Sequence, residues 1–160
     1  MVRVLAVVRS RGHDVSLILA GEGDLRPKLA ALADELGVSA KVVFAGNLDQ
    51  QALAQVYAHA AVLISPLTGR ALSEAALGAA PIVAYDLDWQ GDLIETGVTG
   101  ELVPFRNVEA LGQATLRLLD DPQRARALGE AARARALDML DPVKLNAHER
   151  ATYAKLLGSA

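Results

Sequence analysis

Cysteine is absent from the sequence, which excludes disulfides, thiolate nucleophiles and zinc–thiolate centres. Histidine is scarce: His13, His59 and His148 lie far apart, without the short spacings that metal ligands use. With two Phe, three Tyr and one Trp, the chain has too few rings for a base-stacking platform. Positive charge is short as well. Lys and Arg number 16 against 19 Asp and Glu, a net charge of −3, and the basic residues are scattered, so no nucleic-acid surface is expected. No apolar run approaches the roughly 20 residues of a membrane span. The opening MVRVLAVVRSRG is interrupted by Arg3 and carries no small-residue cleavage pattern, so it does not read as a signal peptide. A cytoplasmic, reducing location is the default expectation.

What is present is apolar and ordered. Hydrophobic residues make up 52% and charged residues 22%, the balance of a globular chain, and 160 residues suit one domain, 1–160. Short β-branched runs fall at 14–20, 41–46, 60–65, 81–86 and 100–104. Ala- and Leu-rich segments separate them at 24–37, 49–60 and 69–80. In the first segment Leu25, Leu29, Leu32, Ala33 and Leu36 keep a helical period, and Gly37 follows where a C-cap is expected. The runs are nearly continuous in apolar residues, as strands covered on both faces of a parallel sheet are. Past Pro104 the chain turns helical over 107–121, 122–140 and 141–158, with Pro122 and Pro142 near helix starts, where a missing N–H costs little. VRVLAVVRS stays open: its valines favour a strand, while Gly12 behind it suits the end of a helix. The expected fold is therefore α/β: a Rossmann-like, doubly wound parallel sheet of about five strands, flanked by helices, with extra C-terminal helices.

In such sheets ligands bind beyond the carboxyl ends of the strands. Three glycine-bearing loops are expected there, GEGD from Gly21, GNLD from Gly46 and SPLTGR from Ser65, each leading into a helix whose first amides favour phosphate oxygens. Glu74 lies about one turn into the third helix, where its carboxylate can accept hydrogen bonds from a vicinal diol such as ribose. The bland alternative is a carboxylate that merely favours the helix dipole. Arg70 suits either a surface ion pair or a bidentate grip on a diphosphate. Gly21-Glu22-Gly23 is as readily a plain turn as a ligand contact, and Asp24 is an N-cap candidate. Asp86 and Asp88 hint at a metal–diphosphate site, but the further ligands such a site needs are lacking, and an ordinary strand end is the better reading. Trp89 can stack on a sugar or pack; packing is favoured, since tryptophan is usually buried. Arg124, Arg126, Arg133 and Arg135, with Asp120, Asp121 and Glu130 nearby, read as a solvated, charge-paired helix face.

These pieces, in this order, resemble the C-terminal half of GT-B glycosyltransferases, in particular the large retaining family 4. The matching residues are Gly21-Glu22-Gly23, Val42 to Gly46, Glu74-Ala75, Pro81 to Ala84 and Gly97 to Val103, with the helix after Asn107 behind them. The resemblance implies that Glu74 binds the nucleotide ribose and that backbone amides of Gly69, Arg70 and Ala71 hold the diphosphate. Gly46, Asn47 and Leu48 would frame the base, and Gly21 and Gly23 would line the same cleft. It implies a UDP- or GDP-linked sugar as donor, transfer of a hexose to an acceptor hydroxyl with retention, and neither metal nor cofactor. Two departures stand out. Counting back eight from Glu74 gives Pro66 where the family has a glutamate that contacts the donor sugar, which leaves Thr68 or Arg70 to hold sugar or phosphate. The family's glycine two residues before proline is Ala79 here. The family's diphosphate-neutralising Arg and Lys and its N-terminal acceptor domain fall before the first residue, so this chain alone is expected to bind donor weakly and to transfer nothing. The alternative is a non-catalytic module that keeps the fold without the site and binds another protein or a second copy of itself as a homodimer. A third possibility is an enzyme of another class, such as an epimerase built on the same two-domain plan.

Overall fold

The computed structural model describes residues 1–158. In chain order the elements are α1 (Val2–Ser10), β1 (Leu17–Ala20), α2 (Arg26–Glu35), β2 (Val42–Gly46), α3 (Gln50–His59), β3 (Leu63–Ser65), α4 (Arg70–Leu77), β4 (Ile82–Asp86), α5 (Gln90–Leu93), β5 (Glu101–Pro104), α6 (Val108–Asp120), α7 (Pro122–Met139) and α8 (Pro142–Gly158). All five strand runs expected from the sequence form strands. The open segment at the amino end is a helix. Its valines have modest helix propensity, but Val2, Val4, Leu5 and Val8 are buried along one stripe, and packing of that stripe outweighs propensity.

Local signals set most boundaries. Gly37 has φ of 67°. Its N–H donates to Asp34 O at 3.0 Å and that of Val38 to Ala33 O at 2.9 Å, so α2 ends with its last carbonyls satisfied by a left-handed residue. Asn107 and Asp121 cap α6 and α7 through bonds from Ala110 N (2.9 Å) and Arg124 N (2.9 Å). Asp24 does not cap α2, which starts after Leu25 with no side-chain cap bond. The Arg-rich helix α7 also departs from the expected face. Arg124 donates to Glu101 Oε1 at 3.1 Å and Arg135 to Glu95 Oε2 at 2.7 Å, so its partners lie on distant segments rather than among the neighbouring acids.

The strands are parallel throughout, in the orders β1-β2 and β3-β4-β5. Helices cover both faces. On one, Val4 and Val8 of α1 and Leu111, Ala114 and Leu118 of α6 meet Val83 and Tyr85 of β4. On the other, Leu72, Ala75 and Ala76 of α4 and Ala132 and Ala136 of α7 meet Ile82 and Ala84. β4 is buried on both sides, as its unbroken apolar run foretold; β1 alternates between half-buried and exposed. The α/β layering is the expected one, with one difference. The five strands make two small sheets, because no hydrogen bond joins β1 to β3. α8 buries none of its residues, and among the described residues no helix is long and apolar enough to cross a membrane.

Candidate functional site

Ala20 and Gly46 are partners at the ends of β1 and β2, and Ala20, Ser65 and Gly69 line one cleft, so the third glycine loop opens beside the end of β1. The first two glycine loops clasp each other. Gly21 N–H donates to Gly46 O at 2.7 Å, both glycines have positive φ (109° and 64°), and a side chain on Gly46 would come within 3.4 Å of Glu22 Oε1. Glycine is thus favoured at both positions by backbone conformation, while the approach to Glu22 is ordinary contact. Gly23 lines a small cleft with Glu22, Asp24 and Arg26. Asn47 is exposed and Leu48 half-buried; directly after them, Asp49 caps α3 by accepting from Ala52 N at 2.7 Å.

The third loop opens α4 at Gly69 with no side-chain cap, which leaves first-turn amides for an outside acceptor. A Cβ on Gly69 would meet nothing within 4 Å, so the approach is open. Thr68, Gly69 and Ala71 border a cleft of about 860 Å³. Arg70 is exposed and has no ion-pair partner among the described residues, so the surface-pair reading of this side chain finds no support.

Glu74 is half-buried on α4 and lines neither cleft. Tyr57 of α3 donates its hydroxyl to Glu74 Oε2 at 3.4 Å, a long bond; Oε1 has no partner among the described residues. Burial, and then the nearby carboxylate charge, push the Tyr57 hydroxyl above its ordinary range, so it stays protonated and acts as donor. Tyr57 is held there by close packing: a Cβ on Gly78 would lie 2.9 Å from Tyr57 Cβ. Sequence reasoning missed Tyr57, which is 17 residues from Glu74 and joined to it only by the packing of α3 on α4.

Other candidates lie outside this rim. Trp89 is half-buried against the α4–α7 core. Asp86 ends β4 and Asp88 follows in a left-handed turn with φ of 56°. No group of three or more His, Cys, Asp or Glu residues suited to a metal ion occurs among the described residues.

A layered α/β domain of parallel strands, with glycine loops and an uncapped helix start after its strands, is a Rossmann-like domain. Residues 1–135 match the family described as glycosyl transferases group 1, and the chain belongs to that family. It is 28% identical over 135 residues to the alpha-D-kanosaminyltransferase of Streptomyces kanamyceticus, covering 82% of this chain and 35% of that protein. It is 32% identical over 149 residues to a GDP-mannose-dependent phosphatidylinositol monomannoside mannosyltransferase of Mycolicibacterium smegmatis, covering 86% of this chain and 39% of the relative. Among solved structures it superimposes on sucrose-phosphate synthase from Thermosynechococcus elongatus with a TM-score of 0.82 at 25% identity, covering 99% of this chain and 43% of that one. Anabaena HepE, solved in complex with UDP-glucose, gives 0.80 at 24% identity over 96% of this chain and 44% of its own. The chain therefore spans less than half the length of these proteins.

Proposed function

We propose that the chain binds a nucleoside-diphosphate sugar, as the donor half of a retaining glycosyltransferase that passes a hexose to an acceptor hydroxyl. The observation that carries this reading is the uncapped start of α4 at Gly69, with Glu74 one turn further in and one carboxylate oxygen unpartnered. The first-turn amides of α4 would take the diphosphate and Glu74 Oε1 the ribose diol, while Gly46, Asn47 and Leu48 frame the base. Arg70, exposed beside those amides, adds a mobile cation for the leaving diphosphate. Charge building on that diphosphate would be met by fixed dipoles, which makes electrostatic stabilisation the main catalytic contribution of this half. The acceptor and the remaining cations would come from polypeptide outside this chain. UDP-glucose in HepE and GDP-mannose in the name of the mycobacterial relative make these two the donors to try first.

Calorimetric titration with UDP-glucose and GDP-mannose should show binding by one of them, with Glu74→Ala weakening it by about 1–3 kcal/mol, the loss of hydrogen bonds to a charged acceptor. Binding that is unchanged in Glu74→Ala would reject the ribose assignment. Absence of binding by any nucleotide sugar, together with a dimer in solution, would favour the non-catalytic module instead.

A further inference from the structure

Gly78 ends α4 with φ of −77° and ψ of 1°, angles that do not call for glycine. Its surroundings do. A Cβ there would stand 2.9 Å from Tyr57 Cβ, the root of that side chain, which cannot move without moving α3. The missing methyl lets α3 close on α4 at this point, and Tyr57 shares a buried cluster with Leu72, Ala75 and Ala76 of α4 at 8% exposure. For packing alone a phenylalanine would serve. The hydroxyl is the feature to explain, because a buried O–H must find an acceptor. Its acceptor is Glu74 Oε2 at 3.4 Å, on the residue one turn before Gly78. The start of α3 is fixed separately, by Asp49 accepting from Ala52 N at 2.7 Å, and it lies directly behind Asn47 and Leu48. One helix therefore leads from the loop proposed to frame a base to the phenol beside the carboxylate proposed to take its ribose.

We propose that Tyr57 is the positioning residue of this site, a role that rests on the reading of Glu74 as the ribose-binding carboxylate: its hydroxyl holds Oε2 and so fixes the rotamer in which the carboxylate meets a vicinal diol. A glutamate side chain turns about several bonds and loses much rotamer freedom when bound. Tyr57 is already fixed by packing. Tying one carboxylate oxygen to a fixed donor removes part of that loss before a ligand arrives, which is how preorganisation adds affinity. The carboxylate has acceptor capacity to spare. Each oxygen offers two acceptor sites, so Oε2 can keep Tyr57 while Oε1 and the second lone pair of Oε2 accept the two diol hydroxyls. Burial, and then the charge of Glu74, raise the Tyr57 hydroxyl above its ordinary range, so it remains a donor at neutral pH. At 3.4 Å the bond is longer than the roughly 2.5–2.7 Å of a hydroxyl on a carboxylate, and such bonds often tighten only when a site is filled. Tyr57 thus bears on the ribose diol alone and leaves the diphosphate and base contacts untouched.

Discrimination between a ribonucleotide and its 2′,3′-dideoxy analogue tests this. Calorimetric affinities of UDP, GDP and their dideoxy forms are measured for the parent chain, Tyr57→Phe, Glu74→Ala and the double variant. The parent should prefer the ribonucleotide. Tyr57→Phe should cut that preference by about three- to tenfold, the range of one hydrogen bond, with the affinity for the dideoxy form unchanged. Glu74→Ala should abolish the preference, and the double variant should match it, because Tyr57 acts only through Glu74. Without any nucleotide, three-bond NMR couplings should report one χ1 rotamer for Glu74 in the parent and averaged rotamers in Tyr57→Phe. A preference lost in Glu74→Ala but kept in Tyr57→Phe would overturn the positioning role and leave the ribose reading standing. Equal losses for both nucleotide forms in Tyr57→Phe, or couplings already averaged in the parent, would overturn that role as well. A preference that survives Glu74→Ala, or no nucleotide binding at all, would overturn the ribose reading and the positioning role with it.

Discussion

Replacing both Arg117 and Arg124 by Met should destabilise the fold by about 3–5 kcal/mol, the usual cost of stranding a buried charge. Glu101 sits on β5 with a side-chain exposure of 1%, and its two oxygens are held separately, Oε2 by Arg117 at 2.6 Å and Oε1 by Arg124 at 3.1 Å. The asymmetry of burial decides where the cost falls. The guanidinium groups are about half exposed (49% and 45%) and can return to water, so each pair alone is weakened by solvent screening. The carboxylate has no such escape. Each single Met variant should therefore lose much less than half of the double loss, because one arginine still satisfies Glu101. Adding Glu101→Met to the double variant should recover part of the stability, since apolar groups of similar volume often replace buried ion pairs without loss. Urea midpoints of the four variants check this; a double variant within about 1 kcal/mol of the parent would show that the charges contribute little.

Gly129→Ala should lose about 2 kcal/mol or more, although helix propensity alone favours alanine by roughly 1 kcal/mol in a helix interior. Gly129 lies within α7, where an added Cβ would stand 2.2 Å from Ala79 O, 3.0 Å from Ala79 C and 3.1 Å from Ala80 C. These are backbone atoms of the turn between α4 and β4, and Ala79 is already in a left-handed conformation with φ of 56°, so the turn has no easy direction in which to move. α7 would have to lift off the core formed by Ala132 and Ala136. Gly112→Ala in α6 is the matched control. Its Cβ would meet only the Val7 side chain, Cγ1 at 3.4 Å and Cβ at 3.7 Å, ordinary contact, so propensity should prevail and leave that variant neutral or more stable by up to about 1 kcal/mol. Thermal unfolding of the two variants should therefore move in opposite directions, and equal losses would refute the packing account. The same turn shows what the alanine at position 79 does where the family has glycine: the bend is kept, with a left-handed alanine in it.

The strands and helices were legible in the sequence because their signals are local. Val42 to Gly46 and Pro81 to Asp86 are β-branched runs with turn residues on either side, and Gly37, Asn107 and Pro122 mark helix ends by their own chemistry. α1 was not legible, since VRVLAVVRS has the residues of a strand and becomes helical only by burying Val2, Leu5 and Val8. The division into two sheets was also invisible: pattern predicts which segments are strands, and pairing depends on which edges meet. At the candidate site the glycine loops and Glu74 could be read from spacing. The bond from Tyr57 and the clasp of Gly21 on Gly46 could not, because both are contacts between segments far apart in the chain. Glu101 carried a faint signal, a lone carboxylate within the apolar run ELVP, but its two arginines lie 16 and 23 residues away.

In the function proposed above, the start of α4 and the glycine clasp form a diphosphate-binding rim with Glu74 beside it. Amide-resolved NMR of the isotopically labelled chain, titrated with UDP and GDP, tests it most directly. The amides of Gly69, Arg70 and Ala71 should move together with those of Gly21, Gly46 and Asn47, and the movement should be salt-sensitive, as expected of a diphosphate contact. Shifts confined to other surfaces, or none at nucleotide concentrations that saturate longer members of the family, would contradict it.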